Sequence, residues 1–87
     1  MSKLTQDKLN ELLTRTTRPN LSNADLTGTS LKGLSLKKAN LFKAILTGMD
    51  LTDTDLAGAY LYKTDLSNAN LQGVDLAGAD LTGADLS

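Results

Sequence analysis

The chain predicts an all-β solenoid, a rod of stacked backbone coils closed at one end by a short helix. Three observations predict it. Leucine occupies every fifth residue for fourteen consecutive positions, from Leu21 to Leu86. All seven glycines lie two residues after one of these leucines, at Gly28, Gly33, Gly48, Gly58, Gly73, Gly78 and Gly83. The residue two before each leucine is mostly small, with alanine at seven of thirteen positions. A period of five matches neither an α-helix nor a β-strand, so no single helix or strand can bury the leucine stripe. A chain that turns at every fifth residue can bury it, by stacking each coil on the last.

The first element is a helix over residues 5–14. Thr5 serves as its N-cap, with Gln6 and Asp7 in the first turn at the positive end of the helix dipole. Leu4 and Leu9 take the two positions of a hydrophobic staple. Leu9, Leu12 and Leu13 fall at i, i+3 and i+4 and make one apolar face. The stretch from Thr14 to Arg18 is polar, and Pro19 ends any helix. Stepping back by fives from Leu21 gives Thr16 and Glu11, so this segment is out of phase with the repeat. Residues 1–18 therefore read as a capping helix with its linker, and residues 19–87 as the solenoid. An amphipathic helix across a raw solenoid end hides both its core and its backbone edges.

The repeat itself reads Ala-Asp/Asn-Leu-x-Gly. If each corner runs Leu-x-Gly-Ala, glycine holds the third turn position, where a type II turn requires positive φ. Asn23 and Asn68 tolerate that conformation. Lys38, Lys43, Asp53 and Lys63 suit it less, so a different turn is expected after Leu36, Leu41, Leu51 and Leu61. Met49, Leu34 and Val74 replace the small inward residue and read as local core filling.

On these residues the sequence closely resembles the pentapeptide-repeat family, whose motif is A-(D/N)-L-x-x. The resemblance covers residues 19–87. It implies a right-handed quadrilateral β-helix in which four pentapeptides form one twenty-residue coil. The leucine and the small residue before it then point inward. Fourteen repeats make about three and a half coils, a rod on the order of 17 Å long at the usual inter-strand spacing.

Residues twenty apart should therefore stack on one face. The face centred on Leu41 and Leu61 gathers all three aromatics, Phe42, Tyr60 and Tyr62, with Lys43 below Lys63. Exposed aromatics flanked by cations suit a protein partner. The competing expectation is that the rings pack on one another as a cross-strand ladder. Asp55 and Asp75 stack on a neighbouring face, as do Asp65 and Asp85. Stacked carboxylates resemble the branch of the family that mimics DNA and inhibits type II topoisomerases. That branch consists of longer and more acidic rods. Aspartate before the leucine is otherwise expected to hydrogen-bond locally.

Composition narrows the function. The net charge is −1, with no histidine and no cysteine. No disulfide or thiolate metal site is possible, and the usual general base is missing. No phosphate loop, nucleophile elbow or calcium-binding repeat occurs, and a regular rod implies no concave pocket. Enzyme activity, a cofactor and a metal site are accordingly not expected. Met1 to Met49 carries eight Lys/Arg and three Asp/Glu, and Asp50 to Ser87 carries one lysine and seven aspartates. The rod is basic near its first coils and acidic near its last. Lys32, Lys37, Lys38 and Lys43 are too few to predict nucleic-acid binding. The opening residues lack the apolar core of a signal peptide, and no apolar run approaches membrane-spanning length, so a cytoplasmic location is expected. Asn20-Leu21-Ser22 matches a glycosylation acceptor by chance on this reading.

The motif continues to Leu86-Ser87 without a breaker. A coil left uncovered there would expose the apolar layer of Leu71, Leu76, Leu81 and Leu86 together with backbone edges. It is expected to pair with a second copy or with another repeat protein. The expected role is a non-enzymatic scaffold or protein-interaction module, with the topoisomerase inhibitor as the alternative.

Overall fold

The structure is a computed structural model that describes residues 3–87. The helix α1 runs Gln6–Arg15, with the Thr5 hydroxyl accepting from the Lys8 N–H as its N-cap. Thr16 is extended, with φ −147° and ψ 148°, which ends the helix ahead of Pro19. Leu9 is fully buried, and Leu4, Leu12 and Leu13 pack half-buried against the same core. The cap is also tied by its backbone. Lys3 forms a parallel bridge with Asp25, and the Leu4 N–H donates to the Asp25 carbonyl at 2.8 Å. Gln6 clamps Ser30 from its side chain, with Oε1 accepting the Ser30 N–H at 2.6 Å.

From Asn20 onward the chain winds into coils of twenty residues with four corners. Every bridge within this region joins residues twenty apart in parallel, as in Asn20 to Asn40 to Tyr60 to Asp80. Each bridge is a single residue pair rather than a continuous strand. The short flat sides explain this, since two of every five residues form the turn and one makes the bridge. Along one side the Leu41 N–H donates to the Tyr60 carbonyl at 2.8 Å, and the Tyr60 N–H donates to the Ala39 carbonyl at 2.9 Å. The corners stack too, with the third turn residue donating to the coil above, as Gly48 does to Ser67 at 2.9 Å.

The leucines point inward. Leu21 through Leu66 are at most 2% exposed, and Ala39, Ala44, Met49 and Ala59 fill the layer beside them. Thr54 and Thr64 also occupy inward positions and are fully buried. Their hydroxyls donate to the Leu31 and Leu41 carbonyls of the preceding coil, at 2.8 and 2.6 Å, so neither is left unpaired. The described chain measures 28 × 23 × 20 Å with the cap in place.

One sequence expectation is corrected. Lys38, Lys43, Asp53 and Lys63 do not introduce a different turn. They take φ of 59°, 56°, 61° and 58° at the third corner position, where the glycines have φ of 69–88°. The following residue donates to the leucine carbonyl in both cases, as in Ala44 to Leu41 at 2.9 Å and Met49 to Leu46 at 3.2 Å. Left-handed backbone costs a non-glycine residue roughly 1–2 kcal/mol. The stacking register overrides that cost. Each of the four N–H groups must reach a carbonyl of the next coil, Ala57, Tyr62, Gln72 and Thr82 respectively, at 2.9–3.0 Å.

Candidate functional site

The aspartates and asparagines before the leucines are structural in the first place. Ten of them, Asn20 to Asp85, accept through Oδ1 from the N–H two residues on, at 3.0–3.1 Å. This Asx turn fixes entry into every such corner. Where Thr or Ser follows the leucine, its hydroxyl donates to the same oxygen, as Thr82 does to Asp80 at 2.6 Å. The hydroxyl bond first, and the backbone bond second, hold the carboxyls of Asp25, Asp50, Asp65, Asp80 and Asp85 below the ordinary aspartate range. A depressed folded-state pKa adds stability above the unfolded value and loses it as pH falls through the folded value. Acid melting is therefore expected to begin as pH drops below the ordinary aspartate range. Thr52→Val should move the onset toward higher pH, because it removes the principal bond to Asp50. Circular dichroism melts from neutral to strongly acidic pH check this, and an onset identical to wild type would remove the hydroxyl from the account.

The face centred on Leu41 and Leu61 carries the aromatic residues as a single slab. Tyr60 and Tyr62 flank the buried Leu61, so both rings are turned outward on one side of the coil. The twenty-residue register places Phe42 one coil below Tyr62. The Phe42–Tyr62, Tyr60–Tyr62 and Phe42–Tyr60 ring centroids lie 5.7, 5.9 and 6.3 Å apart. Their planes agree within 15°. Lys43 and Lys63 follow Phe42 and Tyr62 at the left-handed corner position. Their Nζ atoms sit 5.4 and 5.3 Å from those two ring centroids. Of the two expectations for this face, the cross-strand ladder is the one that the ring geometry shows. The rings stack on each other as a ladder, each contact worth about 0.5–1.5 kcal/mol. Tyr60 nevertheless remains 41% exposed, and Phe42 and Tyr62 are only half-buried.

The layer of Leu71, Leu76, Leu81 and Leu86 differs from the layers before it. The first three are half-buried and Leu86 is 52% exposed. Asp65 stacks on Asp85, and Asp55 bridges both Ser35 and Asp75. Among the described residues no helix is long and apolar enough to cross a membrane, and no cluster of His, Cys, Asp or Glu is arranged to hold a metal.

A regular rod implies no pocket, yet the structure has a cleft of about 470 Å³. It lies between the exit of α1, at residues 16–19, and the corner that carries Ser35, Lys37 and Lys38, with Leu13 and Pro19 as its apolar part. The cleft lies where the linker that follows α1 meets the first coil. One signal in the sequence marks it: Ser35 stands where most repeats have Asp or Asn, and two lysines follow Leu36.

The architecture defines a solenoid whose period, corner chemistry and inward leucines repeat every five residues. The sequence profile of the pentapeptide repeats matches residues 20–58 and 50–87, and the chain belongs to that family. Among solved structures it is similar to HetL of the cyanobacterium Nostoc sp. strain PCC 7120, a pentapeptide repeat protein involved in regulation of heterocyst differentiation. The identity is 32% over 77% of this chain and 36% of HetL, with a TM-score of 0.41. This chain thus spans about a third of HetL. It is also similar to Rfr23 of Cyanothece 51142, at 24% identity over 84% of this chain and 68% of that one, with a TM-score of 0.43. A pentapeptide repeat protein of the Arabidopsis thaliana thylakoid lumen is 34% identical over 78% of this chain and 55% of its own, with a TM-score of 0.29. Comparison with curated protein sequences gives no match.

Proposed function

We propose that this chain is a non-enzymatic scaffold that engages a protein partner through the Phe42, Tyr60 and Tyr62 slab, with Lys43 and Lys63 at its rim. The observation that carries this reading is the preordering of three near-parallel rings on one face. Preordered aromatics enter an interface with little further loss of freedom, which is why such residues dominate binding energy. The two lysines favour a partner with acidic groups around its contact area. We read the coil as the right-handed quadrilateral winding of the family, supported by the four-cornered, twenty-residue register.

Tyr60→Ser truncates the most exposed ring without touching the core. It is expected to weaken a partner captured by the wild-type chain by about thirtyfold, the scale of one interface hot spot. Its thermal midpoint should stay near that of wild type. Equal capture by both proteins, measured side by side with the purified partner, would overturn the assignment of this face.

A second reading rests on the exposed layer of Leu71, Leu76, Leu81 and Leu86, which a second copy would cover in the 87-residue polypeptide. Asp75, Asp80 and Asp85 crowd that end, so salt screens their repulsion and should strengthen the dimer. Sedimentation equilibrium at low and high salt checks this, and a monomer at every concentration would dismiss it. The DNA-mimicking alternative rests on the stacked carboxylates alone. Lys37 interrupts that charge by pairing with Asp55 at 3.8 Å.

A further inference from the structure

We propose that the cleft beside α1 is a binding site for a small dianionic oxyanion, with Ser35 marking the place of a missing carboxylate. The argument starts from the Asx turns. Ten of the fourteen residues that precede a repeat leucine supply an oxygen to the N–H two positions on. Ser30, Ser35, Ile45 and Tyr60 do not. The N–H groups of Lys32, Lys37, Thr47 and Tyr62 consequently have no acceptor among the described residues.

Of the four residues that carry these groups, Lys37 is the one that lines the cleft. It does so together with Arg18, Lys38 and the hydroxyl residues Thr17 and Ser35. Lys32, by contrast, acts on the carboxylate of Asp50, and its neighbour Ser30 is already clamped by Gln6. In the column that contains Ser35, the next two coils carry Asp55 and Asp75, whose Oδ1 atoms accept from Ala57 and Ala77 at 3.0 Å. The shorter serine leaves that oxygen position unfilled in the first coil of the column.

Charge points the same way. Among the described residues the one ion pair is Lys37 with Asp55, at 3.8 Å, so Arg18 and Lys38 are uncompensated. No acidic side chain lines the cleft. An oxyanion seated there would accept the Lys37 N–H as the aspartates do for their own corners, and would take charge-assisted bonds from Arg18 and Lys38. Leu13 and Pro19 leave room for a short apolar body attached to the anionic group. Phosphate and carboxylate groups share this chemistry, and the balance of two free cations favours a dianion.

The test is an amide NMR titration of the full chain with inorganic phosphate and, separately, with succinate, at constant ionic strength. A saturable shift of the Lys37 amide with either titrant, absent from Lys32, is the expected result. Which titrant saturates at lower concentration tells the phosphate source from the carboxylate source. Ser35→Asn supplies a neutral acceptor for the Lys37 N–H, as Asn20, Asn40 and Asn70 do for theirs, and should weaken binding at least about tenfold. A second variant, Arg18→Gln with Lys38→Gln, alters only the exposed rim and should weaken it to a similar degree. Shifts that grow linearly without saturation, that appear equally at Lys32, or that persist in both variants would overturn the proposal.

Discussion

Leu51→Ala is expected to lower the unfolding free energy by about 2–5 kcal/mol. Leu51 is fully buried between Leu31 below it and Leu71 above it in the same column. Its neighbours are held in place by hydrogen bonds from coil to coil, such as Leu51 N–H to the Asn70 carbonyl at 2.9 Å. A stack pinned at that spacing cannot collapse into the space left by the lost methyl groups. The full cavity penalty should therefore appear, not the smaller transfer penalty alone. Leu81→Ala makes the useful contrast. Leu81 is only half-buried in the last layer, so the same truncation should cost about 1 kcal/mol. Urea denaturation of the two variants measures the difference. Equal midpoints would contradict the inward leucine columns on which the fold rests.

Leu9→Ala should cost about 2–4 kcal/mol, with its effect confined to one end of the molecule. Leu9 belongs to the helix and yet joins the core of the solenoid with no exposed surface. It closes the first coil, where Leu21, Leu26 and Leu31 have no coil beneath them. Only Leu9, its half-buried neighbours Leu4, Leu12 and Leu13, and the tethers to Asp25 and Ser30 seal that end. In a stacked repeat, each coil is stabilised chiefly by its neighbours, so an unsealed end frays before the middle opens. Hydrogen exchange should quicken at the amides of residues 21–31. The Leu61 and Leu66 amides, bonded to Asp80 and Asp85 at 2.8 Å, should change little. Uniform acceleration along the chain would mean that the cap and the coils unfold as one unit.

The fold was legible because its period is unbroken. A leucine at every fifth residue, with glycine at a fixed offset, leaves few ways to hide the apolar atoms, and the helix was marked by its cap residue and its apolar spacing. The turns at Lys38, Lys43, Asp53 and Lys63 were not legible, because local preference argues against left-handed lysine and aspartate. Only the hydrogen bonds to the next coil impose that conformation, and those come from residues nineteen positions away. The aromatic slab was half legible. Register arithmetic placed Phe42 beneath Tyr62, but it could not say that Tyr60 would join them in a near-parallel cluster. That depends on how side chains on either side of Leu61 lean once the coil is closed.

The sequence by itself determined the five-residue period, the leucine stripe that must be buried and the charge gradient, since each follows from residue types at fixed spacing; the twenty-residue register is what the resemblance to the pentapeptide-repeat family implies. Tertiary structure alone decided the cleft at Arg18, Ser35 and Lys38. Its walls come from two segments that differ in phase, the end of α1 with its linker on one side and the corner at Ser35 to Lys38 on the other. No periodicity within either segment encodes that contact, because its geometry comes from packing between parts of the chain that do not share a repeat.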